Sequence, residues 1–444
     1  MINYIKRNYP YFLLFIFVFI IYWIVAFPNN YGDPLANYGF SYALIKGEIP
    51  YVDFNTISTP LYAFVMAPGL LIWNNFIMFL LEQCLLVVIV FYLLNKLYGR
   101  KSYIVLFAFC ICNCLAFNAT YNFFSLFLMM VLIYYESKKS DEDYLIGIII
   151  GLIIITKHTV GGLLILPSIY YYRKDLLKLI KRFVGLIIPI IILSIYLIIT
   201  NSFTSFIDLC FLGLFDFTNK NGHFFNAWVI ISGITFILSL IMLLKNKKIV
   251  SFYLFLGFSF VIPLFDICHY SYYLVCFTIQ LLDFIPDKYS KVGYLGISLS
   301  VVYCTLLGIS YYYQLNPVLN NNLYHLEYIF NQKEIYRNSL KFYDFFDSYP
   351  NALILSSSKM KYDFYKDRKI DYFSVPLYGN FGYDGNSKMK KKIDNMHDTY
   401  VIVDMADYND KSANSQFDKE LVDYINSKYE KVKSKYIFDV YYIK

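Results

Sequence analysis

The sequence predicts a polytopic α-helical membrane protein with a C-terminal extracytoplasmic α/β domain, on three observations. Hydrophobic residues make up 58% of the chain and charged residues only 16%, so most of it would expose apolar surface in water. Apolar runs recur from Tyr11 almost to Tyr313, most of them near the roughly 20 residues that a helix needs to cross about 30 Å of hydrocarbon with its backbone internally bonded. Beyond Gln314 the composition changes, with charged blocks such as Lys388-Met-Lys-Lys-Lys392 and Asp404-Met-Ala-Asp407 that would be costly in lipid.

Hydropathy places about eleven spans, at 11–27, 76–95, 103–118, 121–135, 144–156, 161–172, 183–200, 227–244, 249–265, 270–285 and 292–312. The fifth and sixth are short and also read as one broken hairpin. Tyr62 to Trp73 is apolar but carries Pro68 and Gly69 and is too short to span, so it is expected to lie on the membrane as an interfacial helix. The first segment has a basic start and ends Phe27-Pro-Asn-Asn without a small-residue cleavage site, which predicts a retained signal anchor.

Orientation follows from lysine and arginine, which stay cytoplasmic in short loops. One set of alternate loops holds Lys6/Arg7, Lys96/Arg100/Lys101, Lys138/Lys139, Arg173/Lys174/Lys178/Lys181/Arg182, Lys245/Lys247/Lys248 and Lys288/Lys291, whereas the opposite set has only Lys46, Lys157 and Lys220. The asymmetry predicts a multi-pass protein of the cytoplasmic membrane with its amino terminus inside. The first loop and everything after Tyr313 then face outward. Residues 1–313 form the membrane domain, with its first outer loop at 28–75, and residues 314–444 the exported one.

The exported part alternates short apolar runs, Ala352 to Ser356 and Tyr400 to Asp404, with helix-like spacing from Phe417 to Tyr429, and closes on the strand-like run Tyr436 to Ile443. That pattern predicts a small α/β domain. It contains no cysteine, so its stability is expected from packing and not from disulfides. Cys110, Cys112 and Cys114 sit two residues apart on a predicted helix, where they point to different faces, and read as small core hydrophobes and not as a metal cluster. No Gly-rich phosphate loop supports a nucleotide site, and no nucleic-acid partner is expected.

The first outer loop carries two carboxylates beside the membrane, in Tyr31-Gly-Asp33-Pro-Leu and Gly47-Glu-Ile-Pro-Tyr-Val-Asp53-Phe. Asp33 before Pro34 also suits a helix start, with the aspartate as cap, and Asp53 suits a turn. Lys157 and His158 close the fifth span on the side that otherwise avoids lysine. There a retained cation suits an anion, such as a lipid phosphate, more than simple snorkelling. Asp266 and His269 lie on one helical face at the outer end of the ninth span, and two ligands are a weak metal signal. Asp208, Asp216 and His223 occupy the longest other outer loop, and nothing in their spacing singles out a role. All six candidates, Asp33, Asp53, Lys157, His158, Asp266 and His269, face outward near the lipid boundary. One site built from them would suit a substrate that is half lipid and half polar.

With Gly-Asp-Pro, the Gly47 to Phe54 run, Thr59-Pro-Leu-Tyr62 and the interfacial segment that follows, residues 11–270 resemble the GT-C glycosyltransferases. Within them the chain is most similar to the branch of protein O-mannosyltransferases and lipid A aminoarabinose transferases. The resemblance implies a GT-C-like membrane fold and sugar transfer, on the outer face, from a polyprenyl-phosphate donor to a lipid, glycan or protein acceptor. It implies that Asp33, matching the first-loop acidic residue by position, is the general base. Many such enzymes have two adjacent acidic residues there, whereas Asp33 is followed by Pro34, which leaves the second carboxylate's role open with Asp53 as its candidate. A sugar phosphate is already a good leaving group, so one base and one cation suffice. That chemistry assigns Lys157 to the donor phosphate, with His158, His269 and Asp266 as phosphate or sugar contacts, and predicts inversion at the anomeric carbon. No cofactor is named, and a divalent metal stays open.

Two other classes use the same surroundings. A flippase or transporter for lipid-linked oligosaccharides would show repeated halves and ionisable residues at mid-span, of which Glu82 is the clearest here. A surface-polysaccharide polymerase or ligase would carry an arginine-rich large outer loop, and the outer loops of the membrane part contain no arginine.

Overall fold

The computed structural model describes residues 10–20, 33–115, 120–138, 142–220, 227–262, 264–289, 340–356, 380–409 and 418–444, with isolated positions between 291 and 366. The chain is mostly helical and forms two compact units, each drawn from separate stretches. The first comprises residues 1–38, 59–195 and 224–317, and the second residues 39–58, 196–223 and 318–444. The division differs from the sequence boundary at 313/314, because residues 39–58 and 196–223 belong to the second unit.

In chain order the described helices of the membrane part begin with α1 (Pro10–Ile20), α2 (Asp33–Ile45), α3 (Leu61–Ile72), α4 (Phe76–Tyr98) and α5 (Ser102–Leu115). They continue with α6 (Tyr121–Ser137), α7 (Asp143–Ile154), α8 (His158–Gly161), α9 (Ile165–Tyr172) and α10 (Leu176–Ile199). After α11 (Phe203–Ile207) and α12 (Gly213–Lys220) come α13 (Ala227–Asn246), α14 (Ile249–Leu256) and α15 (Ile267–Leu282). Among the described residues three helical runs are long and apolar enough to cross a membrane, Phe76–Phe109, Leu176–Ile199 and Ala227–Asn246. The expected fifth and sixth spans are α7 and α9, of 12 and 8 residues, each shorter than a full crossing. Most of the expected last span, 292–312, lies outside the described residues, as do the side chains of Cys110, Cys112 and Cys114 within α5.

Only 28% and 17% of the most apolar windows of α10 and α13 are buried. Their isoleucines therefore face out of the protein, an arrangement that water would penalise and lipid accommodates. Backbones meet closely where α7 packs on α10. A Cβ on Gly147 would stand 2.1 Å from the Arg182 carbonyl oxygen, one on Gly151 2.4 Å from that of Leu186, and one on Gly185 2.1 Å from that of Tyr144. This is small-residue packing of the kind that draws helices together in lipid, where apolar burial gives no net drive. Polar ties complete the first unit. Arg182, 1% exposed, donates to Glu136 on α6, to Asp143 on α7 at 2.8 Å and to Ser168 on α9 at 2.9 Å. Tyr253 on α14 donates to the same Glu136 at 3.2 Å. Gln280 on α15 likewise joins Ser239 on α13 to Ser251 on α14.

The segment expected as an interfacial helix is α3. It buries Tyr62, Ala63, Met66, Gly69 and Leu70 while leaving Ile72 82% exposed, so both of its faces are apolar and one lacks a protein partner among the described residues. Gly69 admits the Glu82 side chain of α4, whose Oε1 would lie 2.0 Å from a Cβ there.

The second unit contains α16 (Leu340–Asp347), β1 (Leu353–Leu355), α17 (Gly385–Asp394), β2 (Thr399–Asp404), α18 (Met405–Asn409), α19 (Lys419–Lys428), β3 (Glu430–Lys435) and β4 (Phe438–Ile443). Its sheet has the order β1-β2-β4-β3, with β1 parallel to β2 and the other pairs antiparallel. Strands expected at 352–356, 400–404 and 436–443 are β1, β2 and β4, and the expected 417–429 helix is α19. Its core joins Leu355, Val401, Val403, Tyr441 and Ile443 of the sheet to Met389 and Ile393 of α17 and to Leu421, Val422 and Ile425 of α19. The unforeseen strand is β3, exposed at every position, an edge whose three lysines discourage pairing with another chain.

Residues 39–58 and 196–223 are built into this unit. The Tyr51 hydroxyl donates to the Ser58 carbonyl at 2.7 Å, and the Cys210 thiol, 0% exposed, reaches the Tyr51 hydroxyl at 3.4 Å. Asn55 Nδ2 donates to the Asn380 carbonyl at 2.6 Å. Asp208 opens a π-helical turn, Asp208–Leu212, a feature frequent at functional sites.

Candidate functional site

Five of the six candidates, all but Asp53, belong to the first unit, where polar side chains gather around the start of α6. Thr120 caps α6 by accepting from the Asn122 amide, which satisfies one of the helix's open donors. The α7 helix ends at Ile154, and Lys157 stands in extended conformation as the cap residue of the single turn α8. Its ammonium is 8% exposed by residue and donates to Asn122 Oδ1 at 2.6 Å, with the Phe260 ring centroid at 5.5 Å. A lysine that simply snorkelled would carry its charge to water; this one is turned inward, against the first turn of α6. The ammonium and the positive end of the α6 dipole therefore act in the same direction, and an anion placed there is stabilised by both.

Two more contacts close the cluster. The Thr120 hydroxyl lies 3.1 Å from that of Tyr272 on α15, and the Tyr121 amide donates to Asn37 Oδ1 at 3.3 Å. Asn37 stands one turn after Asp33 in α2, which opens at Asp33. The Asp33 side chain itself lies outside the described ones.

His158 follows Lys157 directly. Burial, and then the neighbouring Lys157 charge, push its imidazole below its ordinary value, so at neutral pH it is uncharged and acts as a hydrogen-bonding group, not as a second cation. Asp266 and His269 form a pair at the start of α15. Asp266 caps the helix by accepting from the His269 amide at 2.8 Å, and His269 Nδ1 lies 2.9 Å from both carboxylate oxygens. Burial alone would raise the Asp266 carboxyl, but hydrogen bonds and charge from His269 hold it below the usual carboxylate value. With Nδ1 taken, the ring has Nε2 left for another partner. His269 and Tyr272 are three apart on α15 and share a face.

Asp53 belongs to the second unit and has a local part. Its Oδ2 accepts from the Ile49 amide at 2.7 Å while its own amide donates to the Ile49 carbonyl at 2.8 Å, closing the turn that holds Tyr51 at φ +68°. Asp208 and Asp216 gain roles that their spacing did not reveal. Asp208 accepts from the Tyr383 amide at 3.1 Å and from Lys388 Nζ at 2.6 Å, and Asp216 accepts from the Gly385 amide at 3.3 Å. His223 lies outside the described residues. Sequence reasoning also passed over Asn37, Thr120, Asn122 and Tyr272. A polar Thr-Tyr-Asn between two apolar runs was the available signal. Among the described residues no group of three metal-type ligands converges.

This arrangement can hold an oxyanion beside Lys157 and the first turn of α6, with the neutral imidazole of His158 and the Nε2 of His269 for hydrogen bonds. No family profile matches the chain, and neither a curated protein nor a solved structure shows significant similarity to it.

Proposed function

We propose that this chain is a membrane glycosyltransferase that moves a sugar from a polyprenyl-phosphate donor to a lipid, glycan or protein acceptor on the outer face of the membrane. The observation that carries the reading is the buried Lys157 ammonium, held by Asn122 at the start of α6 in a cluster that the charge asymmetry assigns to the outer ends of the helices. Two observations add support. The first outer loop resembles that of the GT-C enzymes, and α2 sets Asp33 one turn from Asn37, which bonds to the same end of α6. The fold proposed with this reading is GT-C-like, with about eleven spans.

In the proposed reaction Asp33 takes the proton of the acceptor hydroxyl, and that oxygen forms a bond to the anomeric carbon from the side opposite the phosphate. The bond from the anomeric carbon to the phosphate oxygen breaks, its electron pair leaving on polyprenyl phosphate. Lys157 offsets the charge that develops there, and one displacement inverts the anomeric centre. His158, being neutral, donates to or accepts from the phosphate or sugar without competing for the negative charge. His269, oriented by Asp266, presents Nε2 for the same purpose.

Lys157→Met tests the assignment because it keeps most of the volume and removes the charge. The donor KM should rise about 10- to 100-fold, the loss of one charge-assisted hydrogen bond of roughly 1.5–3 kcal/mol, while acceptor KM stays near its original value. Mass spectrometry of lipids co-purified with the unaltered protein should find a polyprenyl-phosphate sugar, depleted in the Met variant. Unchanged donor kinetics would return Lys157 to a packing role.

A further inference from the structure

The second unit contains a cleft of about 220 Å³ in which all lining residues belong to that unit. Tyr51 and Asn55 come from the first outer loop, Asp208 from the π-helical turn, and Phe381, Lys388 and Lys392 from the segment leading into and along α17. Three stretches far apart in sequence thus converge on one small space of mixed apolar and polar lining. Pockets for drug-sized ligands run roughly 300–1,000 Å³, so this one suits a smaller unit.

The charge of the cleft is positive, since its lining holds two lysines and one carboxylate. The carboxylate is already matched. Asp208 accepts from Lys388 at 2.6 Å and from the Tyr383 amide at 3.1 Å. This approach depends on Gly382, at φ +78°, where a Cβ would stand 2.1 Å from Asp208 Oδ2. Lys392 lies one turn beyond Lys388 on the same face of α17 and lines the same space. Asn55 uses its amide nitrogen on the Asn380 carbonyl, and its Oδ1 accepts no hydrogen bond among the described residues, so it can take one from a ligand hydroxyl. The Phe381 ring adds an apolar wall of the sort that the CH face of a sugar covers. Cationic nitrogens, a carboxamide oxygen and an aromatic face in a space of this size match one acidic monosaccharide unit better than a bare anion or an apolar chain.

We propose that this cleft binds an acidic sugar residue of a glycan, its carboxylate held by the lysines of α17 and a hydroxyl bonded to Asn55. The inference goes beyond the transfer reaction. If the chain is a glycosyltransferase the cleft is where an acidic acceptor glycan rests, and binding is measurable whether or not transfer occurs.

The test uses the full chain in lipid nanodiscs and isothermal titration with trigalacturonate, with maltotriose as the neutral counterpart and inorganic phosphate as competitor. Trigalacturonate should bind at least 10-fold more tightly than maltotriose and lose affinity as salt rises. Lys392→Gln should weaken it at least 5-fold, whereas Lys392→Arg should keep most of it. Hydrogen-exchange protection of the β2 and β4 amides reports that each variant is folded. Equal binding of maltotriose, absence of trigalacturonate binding, or unchanged affinity in Lys392→Gln would each overturn the proposal. So would displacement by phosphate at concentrations similar to trigalacturonate, since the cleft would then read charge and not sugar. Donor kinetics altered by Lys157→Met alongside absent trigalacturonate binding would leave the transferase reading standing and remove only this site.

Discussion

Single residues decide whether the cluster at the start of α6 is chemical. Asp33→Asn keeps shape and capping capacity, because asparagine caps helices about as well as aspartate, but it cannot take a proton. Transfer should fall about 10²- to 10⁴-fold with expression and donor binding intact, as measured by single-turnover transfer and donor titration in nanodiscs. Near-normal transfer would make Asp33 a helix cap alone. The candidates were legible to different degrees, for physical reasons. Lys157 stood out because a cation on the lysine-poor side needs a reason. Asp266 and His269 were visible as an i, i+3 pair, and the pair is indeed a cap and its partner. Asp53 carried no signal separating a turn from a site, and its bonds to Ile49 are those of a turn. Asn122 was invisible because nothing local tells which of many polar residues a distant lysine will bind.

At the level of elements, hydropathy located apolar helices well and their lengths poorly. Breaks such as the one around α8 come from tertiary fit, with Gly161 lying so close to Ile154 that a Cβ would meet its amide nitrogen at 2.3 Å, and not from a loss of apolar character. The α7–α10 contact was not read from the sequence, although Gly147 and Gly151 stand four residues apart, a spacing that brings both onto one face. Gly185→Ala should lower stability by about 1–3 kcal/mol, the ordinary cost of overpacking, because its Cβ would meet backbone and not a movable side chain. Thermal unfolding in detergent by intrinsic fluorescence should show the loss, and an unshifted midpoint would mean that the helices part freely. In the sheet domain, β3 escaped notice because an edge strand exposed on both faces shows no alternation. Beside it, hydrogen bonds from Lys428, Tyr424 and Tyr429 hold Asp394 down to about 2. A carboxyl lowered in the folded state contributes stability above its unfolded value of about 3.9, and that contribution is lost as pH falls from there towards about 2. Hydrogen-exchange protection of α19 and β3 should therefore drop over this range more steeply in the original chain than in Asp394→Asn. Parallel profiles would show that solvent screens the cluster completely.

For the whole molecule, the charge asymmetry predicted which loops face outward, and the three stretches of the second unit, 39–58, 196–223 and 318–444, all carry that outward assignment. Their union was not legible in the sequence, because it rests on single bonds such as those of Asn55 with Asn380 and Asp208 with Lys388, for which no periodicity exists. Orientation is open to direct measurement. In a chain whose exposed Cys268 is replaced by serine, cysteines at Val52 and Lys433 should label with an impermeant thiol reagent in intact cells. One at Lys245 should label only after permeabilisation. Labelling at Lys245 with protection at Val52 would invert the topology, and with it the side of the membrane on which Lys157 works.

The discontinuous second unit also sets a timetable for synthesis. Its first stretch leaves the ribosome at residue 39 and its sheet is completed only by β4 at residues 438–443, so the loop around Tyr51 can meet Cys210 midway but the Asn380 carbonyl only after most of the chain has been made. Contacts between such distant stretches form late. A chain stalled before residue 380 would lack the acceptor of Asn55, and one stalled before β4 would leave β2 without its antiparallel neighbour. Completion of the last strand thus closes a unit that was begun near the start of the chain.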